Sequence, residues 1–125
     1  MKRRIFAVLL MVLMLSAISL PVAAMAFDVQ PYGAGAVAGG LTSAGGNGHY
    51  LWIEVTGDSS YKTGVSVLYK YNSGRWESIT SVSTQGYSTY LYNSKYITLT
   101  SGSYKVVATV NTNIGSSSDT EYYNI

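Results

Sequence analysis

The chain has 125 residues with 13 glycines, 12 tyrosines, one histidine and no cysteine, and its formal net charge is +2. Without cysteine it has no disulfide, no thiolate nucleophile and no thiolate ligand for a metal, and a single histidine leaves little for acid–base chemistry. The composition favours packing and contact over catalysis, and no enzyme activity is expected.

At the amino terminus, Met1-Lys2-Arg3-Arg4 is basic, residues 5–15 are continuously apolar, and residues 16–26 run through Pro21 to the small-residue site Ala24-Met25-Ala26. That layout predicts a secretory signal peptide over residues 1–26, cleaved before Phe27. The same stretch is also long enough to cross a bilayer as an uncleaved anchor; the polar break at Ser16 and Ser19, followed by Pro21, favours cleavage. Cleavage leaves 99 residues that are extracellular, released or held at the cell surface without a covalent bond, and with no stable membrane insertion. Three of the eight basic residues leave with the leader, so five face six acidic ones and the net charge becomes −1. A near-neutral chain lacks the basic stripe that displaces counterions from nucleic acid, so no nucleic-acid partner is expected.

Residues 27–48 read as a Gly/Ala-rich leader with a weak first strand, and residues 49–125 as the core of one domain. The first strand is expected over residues 37–43, ragged and loosely held because it has little side-chain mass. Asn47-Gly48 supplies a positive-φ pair for the turn that follows. Residues 49–56 alternate, with Leu51, Ile53 and Val55 on one face and Tyr50, Trp52 and Glu54 on the other. Residues 63–72 alternate again, setting Val65, Val67 and Tyr69 opposite Ser66, Leu68 and Lys70, and Tyr69 is assigned to packing. Asn72-Ser73-Gly74 closes a hairpin into residues 75–83, where Trp76 and Ile79 are three apart and share a face only through a bulge. In residues 87–93 Leu91 opposes Tyr90 and Tyr92. Residues 103–111 place Tyr104, Val106, Ala108 and Val110 together, and residues 119–125 form a last strand after a polar loop over residues 112–118.

About seven short strands with turn signals between them and no helical stripe predict an all-β fold, a single antiparallel β-sandwich. The stretch Leu99-Thr100-Ser101-Gly102-Ser103-Tyr104 sharpens this to an immunoglobulin/fibronectin-III-like arrangement. There, a tyrosine just inside the penultimate strand sends its hydroxyl back to the preceding loop as a tyrosine corner.

Val65-Ser66-Val67-Leu68-Tyr69-Lys70-Tyr71, Gly74-Arg75-Trp76-Glu77-Ser78-Ile79, Gly102-Ser103-Tyr104-Lys105-Val106-Val107-Ala108 and Gly115 carry a further likeness. In these residues the chain resembles a family of small uncharacterised secreted β-sandwich proteins of Gram-positive bacteria. The resemblance implies a signal peptide followed by one immunoglobulin/fibronectin-III-like sandwich. Its motifs are packing signatures, it does not reach the Gly/Ala segment, and it implies no catalytic residue.

Chemical constellations are sparse. His49 stands beside a turn and is expected to be solvated. The six carboxylates, Asp28, Glu54, Asp58, Glu77, Asp119 and Glu121, are dispersed, so no metal site and no cofactor are expected. A carboxylate pair such as Glu54 with Glu77 has nothing positive to recommend it. Gly33-Ala34-Gly35-Ala36-Val37-Ala38 fits an alanine-ended dinucleotide fingerprint, but follows no strand and opens no amphipathic helix.

The aromatic residues carry the functional expectation. If Leu51 and Leu91 face inward, then Tyr50, Trp52, Tyr90 and Tyr92 face outward. A fibronectin-III-like topology pairs the second strand with the fifth and brings these four onto one surface, with help from Trp76. Such a surface suits a carbohydrate or a surface protein as partner, whereas the competing structural account is cross-strand pairing at ~0.2–1 kcal/mol per pair. The expected function is a secreted, non-catalytic extracellular binding or surface-interaction module. The alternative is a secreted antibacterial protein of the bacteriocin type, suggested by small size, the leader and the glycine-rich front.

Overall fold

A computed structural model describes residues 35–125. The expected signal peptide and the first residues of the Gly/Ala segment lie outside the described residues. Those described form seven antiparallel strands and no helix: β1 (Ala36–Gly45), β2 (Gly48–Thr56), β3 (Lys62–Asn72), β4 (Arg75–Gly86), β5 (Tyr90–Thr98), β6 (Ser103–Thr112) and β7 (Gly115–Asn124). They build two sheets, of order β1-β2-β5 and β4-β3-β6-β7, so the chain is a β-sandwich with its second and fifth strands side by side.

The core lies between the sheets. Leu51, Ile53 and Val55 from β2 are fully buried against Leu68 of β3 and Val106, Ala108 and Val110 of β6, as alternation in β2 and β6 predicts. Tyr104 closes one end: it is buried, and its hydroxyl donates to the Thr100 carbonyl at 2.7 Å, the tyrosine-corner bond. At the other end Lys62 is fully buried, and its ammonium donates to the carbonyls of Asp58 and Ser60, the latter at 2.9 Å. Asp58 sits below the usual carboxylate range because the Ser60 hydroxyl and then the Ser60 N–H donate to it.

In β3 the period is as predicted, but the inward face is Lys62, Gly64, Ser66 and Leu68, with Val65, Val67 and Tyr69 outward and half-buried. The reason is the short distance between the sheets at their centre. The Ser66 hydroxyl donates across the gap to the Trp52 carbonyl at 2.9 Å. A Cβ on Gly39 would collide with Ser66 Oγ and lie 2.8 Å from Ala108 Cβ. Close-packed interiors accept no extra volume at such a point, so small residues fill this layer and the valines turn outward.

The same contact explains the Gly/Ala strand. β1 pairs with β2 residue by residue from Ala36↔Thr56 to Ser43↔His49, with one irregularity before Gly45. Gly39 and Gly40 in it are close-approach positions, not slack. Of the Gly33–Ala38 motif, the described residues lead into this strand: Gly35 has φ +93°, and Ala36, Val37 and Ala38 belong to β1.

The turns differ in detail from expectation. Positive φ falls on Gly45 and Gly46 instead of Asn47-Gly48, and Gly48 already belongs to β2. Ser73 and Gly74 both have positive φ, as a two-residue hairpin turn requires. The bulge expected between Trp76 and Ile79 is present: Tyr69 pairs with Ser78 and Leu68 with Thr80, leaving Ile79 as the extra residue. β7 begins at Gly115, four residues earlier than predicted, because a tight turn at Asn113 and Ile114 replaces the long polar loop.

Candidate functional site

Strand register fixes which side chains share the outer face of the three-stranded sheet. On β2 they are Tyr50, Trp52, Glu54 and Thr56; directly opposite on β5 stand Tyr96, Ser94, Tyr92 and Tyr90, and on β1 Thr42, Gly40, Ala38 and Ala36. The four aromatics predicted to share a surface, Tyr50, Trp52, Tyr90 and Tyr92, therefore do share one. Tyr50, Tyr90 and Tyr92 keep 44%, 51% and 51% of their surface exposed, and Trp52 is half-buried.

Tyr96 completes this face; the sequence pattern predicts a fifth strand over residues 87–93, which stops short of it, whereas β5 continues to Thr98. It is 56% exposed and meets Tyr50 edge-on, with ring centroids 5.5 Å apart and planes at 72°. The spacing of two through Tyr90, Tyr92, Ser94 and Tyr96 was the available signal.

The rings rest on glycine. A Cβ on Gly40 would come within 3.2 Å of the Trp52 indole, and one on Gly48 would collide with the Tyr96 phenol. Trp52, beside the Tyr123 hydroxyl, and Tyr96 thus pack against bare backbone where a side chain would displace them. Among the described strand positions Glu54 is the only charged residue on this face. It takes a hydrogen bond from the Tyr90 hydroxyl and so raises the Tyr90 pKa above the ordinary phenol value, with burial adding to the shift.

Trp76 does not join this surface. It stands on the outer face of the four-stranded sheet, opposite Tyr71. There it contacts the Tyr71 ring at 5.1 Å and the Tyr122 ring at 6.0 Å. The Lys105 ammonium lies 4.8 Å from the Trp76 ring centre and 5.3 Å from that of Tyr69. A three-residue spacing between Trp76 and Ile79 says nothing about which sheet β4 joins, so its face was not legible in the sequence.

Among the described residues the other titratable groups do not converge on a reaction centre. His49 is buried instead of solvated, with Nδ1 3.3 Å from the Asn47 carbonyl; its position opposite Ser43 and Ile97 in the register turns it to the inner face. Glu54 and Glu77 lie on different sheets. Asp119 and Glu121 alternate with Thr120 on β7, and burial raises both pKa values, with the Asp119 charge adding to the shift of Glu121. Among the described residues no three His, Cys, Asp or Glu side chains are grouped to hold a metal. An open depression of about 380 Å³ is lined by Ser60, Tyr61, Thr63, Asn111, Thr112 and Asn113, of which only Tyr61 is ionisable.

No protein-family model, curated protein or solved structure matches this chain.

Proposed function

We propose that this protein is a secreted, non-catalytic binding module of the immunoglobulin/fibronectin-III type. It acts through the outer face of the three-stranded sheet, with Tyr50, Trp52, Tyr90, Tyr92 and Tyr96 as its contact residues. The observation that carries this reading is the gathering of five aromatic side chains on one face, two of them packed against glycine.

A neutral polysaccharide is the ligand class that the chemistry fits best. The rings offer apolar planes to the C–H faces of sugars, the phenols offer hydrogen bonds at their rims, and a single carboxylate gives no reason for a charged ligand. The strand order supports the fibronectin-III-like assignment, and the basic-apolar-small leader supports export. The likeness to small secreted sandwiches of Gram-positive bacteria is compatible with both.

The test is affinity electrophoresis against a panel of neutral cell-wall, plant and host polysaccharides. Retardation of the wild type that Trp52→Ala abolishes is the expected result. No retardation by any polymer, or equal retardation of the variant, would refute the reading; binding to a surface protein alone would replace its ligand class.

A further inference from the structure

The twelve tyrosines include a pair that belongs to neither outer face. Tyr61, before β3, and Tyr87, between β4 and β5, meet with ring centroids 5.1 Å apart and planes at 58°. They are 43% and 68% exposed. Each sits on a segment that crosses from one sheet to the other, and the same two segments are joined once already, by the Gly57 N–H donating to the Thr89 carbonyl at 3.0 Å.

We propose that Tyr61 and Tyr87 are a modification site, at which one-electron oxidation by a peroxide and a haem peroxidase joins the two rings as an intramolecular dityrosine. The peroxidase takes one electron and one proton from each phenol. The two phenoxyl radicals pair to form a bond between an ortho carbon of Tyr61 and one of Tyr87. Each ring then regains aromaticity by moving its ortho hydrogen to the oxygen. One hydrogen peroxide becomes two waters, and the chain loses two hydrogens.

Two features favour this pair over the other tyrosine pair in ring contact. Tyr61 and Tyr87 lie outside the strands, so their rings have freedom to turn into register, and their exposure admits the oxidant. Tyr50 and Tyr96 face each other across paired strands. The phenolic end of Tyr96, including an ortho carbon, is packed on Gly48, which hinders coupling there. The product would close the chain between residues 61 and 87 in a protein without cysteine. It would thereby limit the unfolded ensemble as a disulfide does. This inference does not depend on the aromatic face binding a ligand.

The experiment treats the purified protein with a haem peroxidase and one equivalent of hydrogen peroxide. The expected product is a monomer lighter by two hydrogens, with dityrosine fluorescence, one cross-linked peptide pair joining Tyr61 to Tyr87, and a raised melting temperature. Tyr61→Phe and Tyr87→Phe keep the rings and remove the phenols, and each should abolish the mass change, while Tyr71→Phe leaves it intact. Cross-links mapped to other tyrosines, covalent dimers as the main product, or an unchanged yield in Tyr61→Phe would overturn the proposal. So would peroxide consumption with no dityrosine formed.

Discussion

The two outer faces of the sandwich both carry aromatic clusters, yet the clusters are built in opposite ways. On the four-stranded sheet Tyr69, Tyr71, Trp76 and Tyr122 close around Lys105, whose ammonium sits over two of the rings. One face each of the Tyr69 and Trp76 rings is thus occupied from within, while Tyr71 and Tyr122 stay exposed at the edge of the cluster. On the outer face of the three-stranded sheet the described strand positions carry no cation, Trp52 and Tyr96 pack against Gly40 and Gly48, and Tyr50, Tyr90, Tyr92 and Tyr96 are exposed. Aromatic content alone does not separate a packing cluster from a contact surface; what stands in front of and behind each ring does.

Substitutions that treat the two faces alike should therefore give different losses. Trp52→Ala should remove a central contact worth about 2 kcal/mol, roughly thirty-fold in affinity. Trp76→Ala loses two ring contacts and one cation contact but no ligand contact. It should lower stability by about 2 kcal/mol in urea unfolding while leaving polysaccharide retention unchanged. Lys105→Met keeps the volume and removes the charge, so a loss of about 1 kcal/mol is expected in the same assay, again without effect on retention.

The smallest effect concerns Glu54. Its hydrogen bond with Tyr90 raises the phenol pKa, so this group contributes stability that is present below the unfolded phenol pKa of about 10 and is lost as pH rises through the folded value. Glu54→Gln should return Tyr90 toward ordinary titration, seen as earlier phenolate absorbance on alkaline titration. An unchanged curve would mean that Glu54 does not hold the Tyr90 proton.

Alternation in β2 and β6 was enough to place the core, and with the fold class it was enough to gather Tyr50, Trp52, Tyr90 and Tyr92. Period alone reports that two faces exist, not which is inside. In β3 the more apolar face, Val65 and Val67, turned outward because Gly39, Ser66 and Ala108 bring the sheets together where a valine has no room. That is a property of three strands distant in sequence and invisible in any one of them. Trp76 was misplaced for a similar reason, since its surface depends on which sheet β4 joins. Tyr96 lies three residues beyond the strand end that the pattern around Leu91 predicts, because β5 runs on to Thr98. A Gly/Ala-rich pattern reads as slack in the chain; in the fold Gly40 packs under Trp52 and Gly39 is the contact point of the two sheets.

The most direct measurement follows from the placement of the two tryptophans, one on each outer face. Titration of the labelled protein with a retained polysaccharide should move the indole N–H resonance of Trp52 and leave that of Trp76 in place. Movement of the Trp76 resonance, or of neither, would contradict the assignment of binding to the three-stranded face.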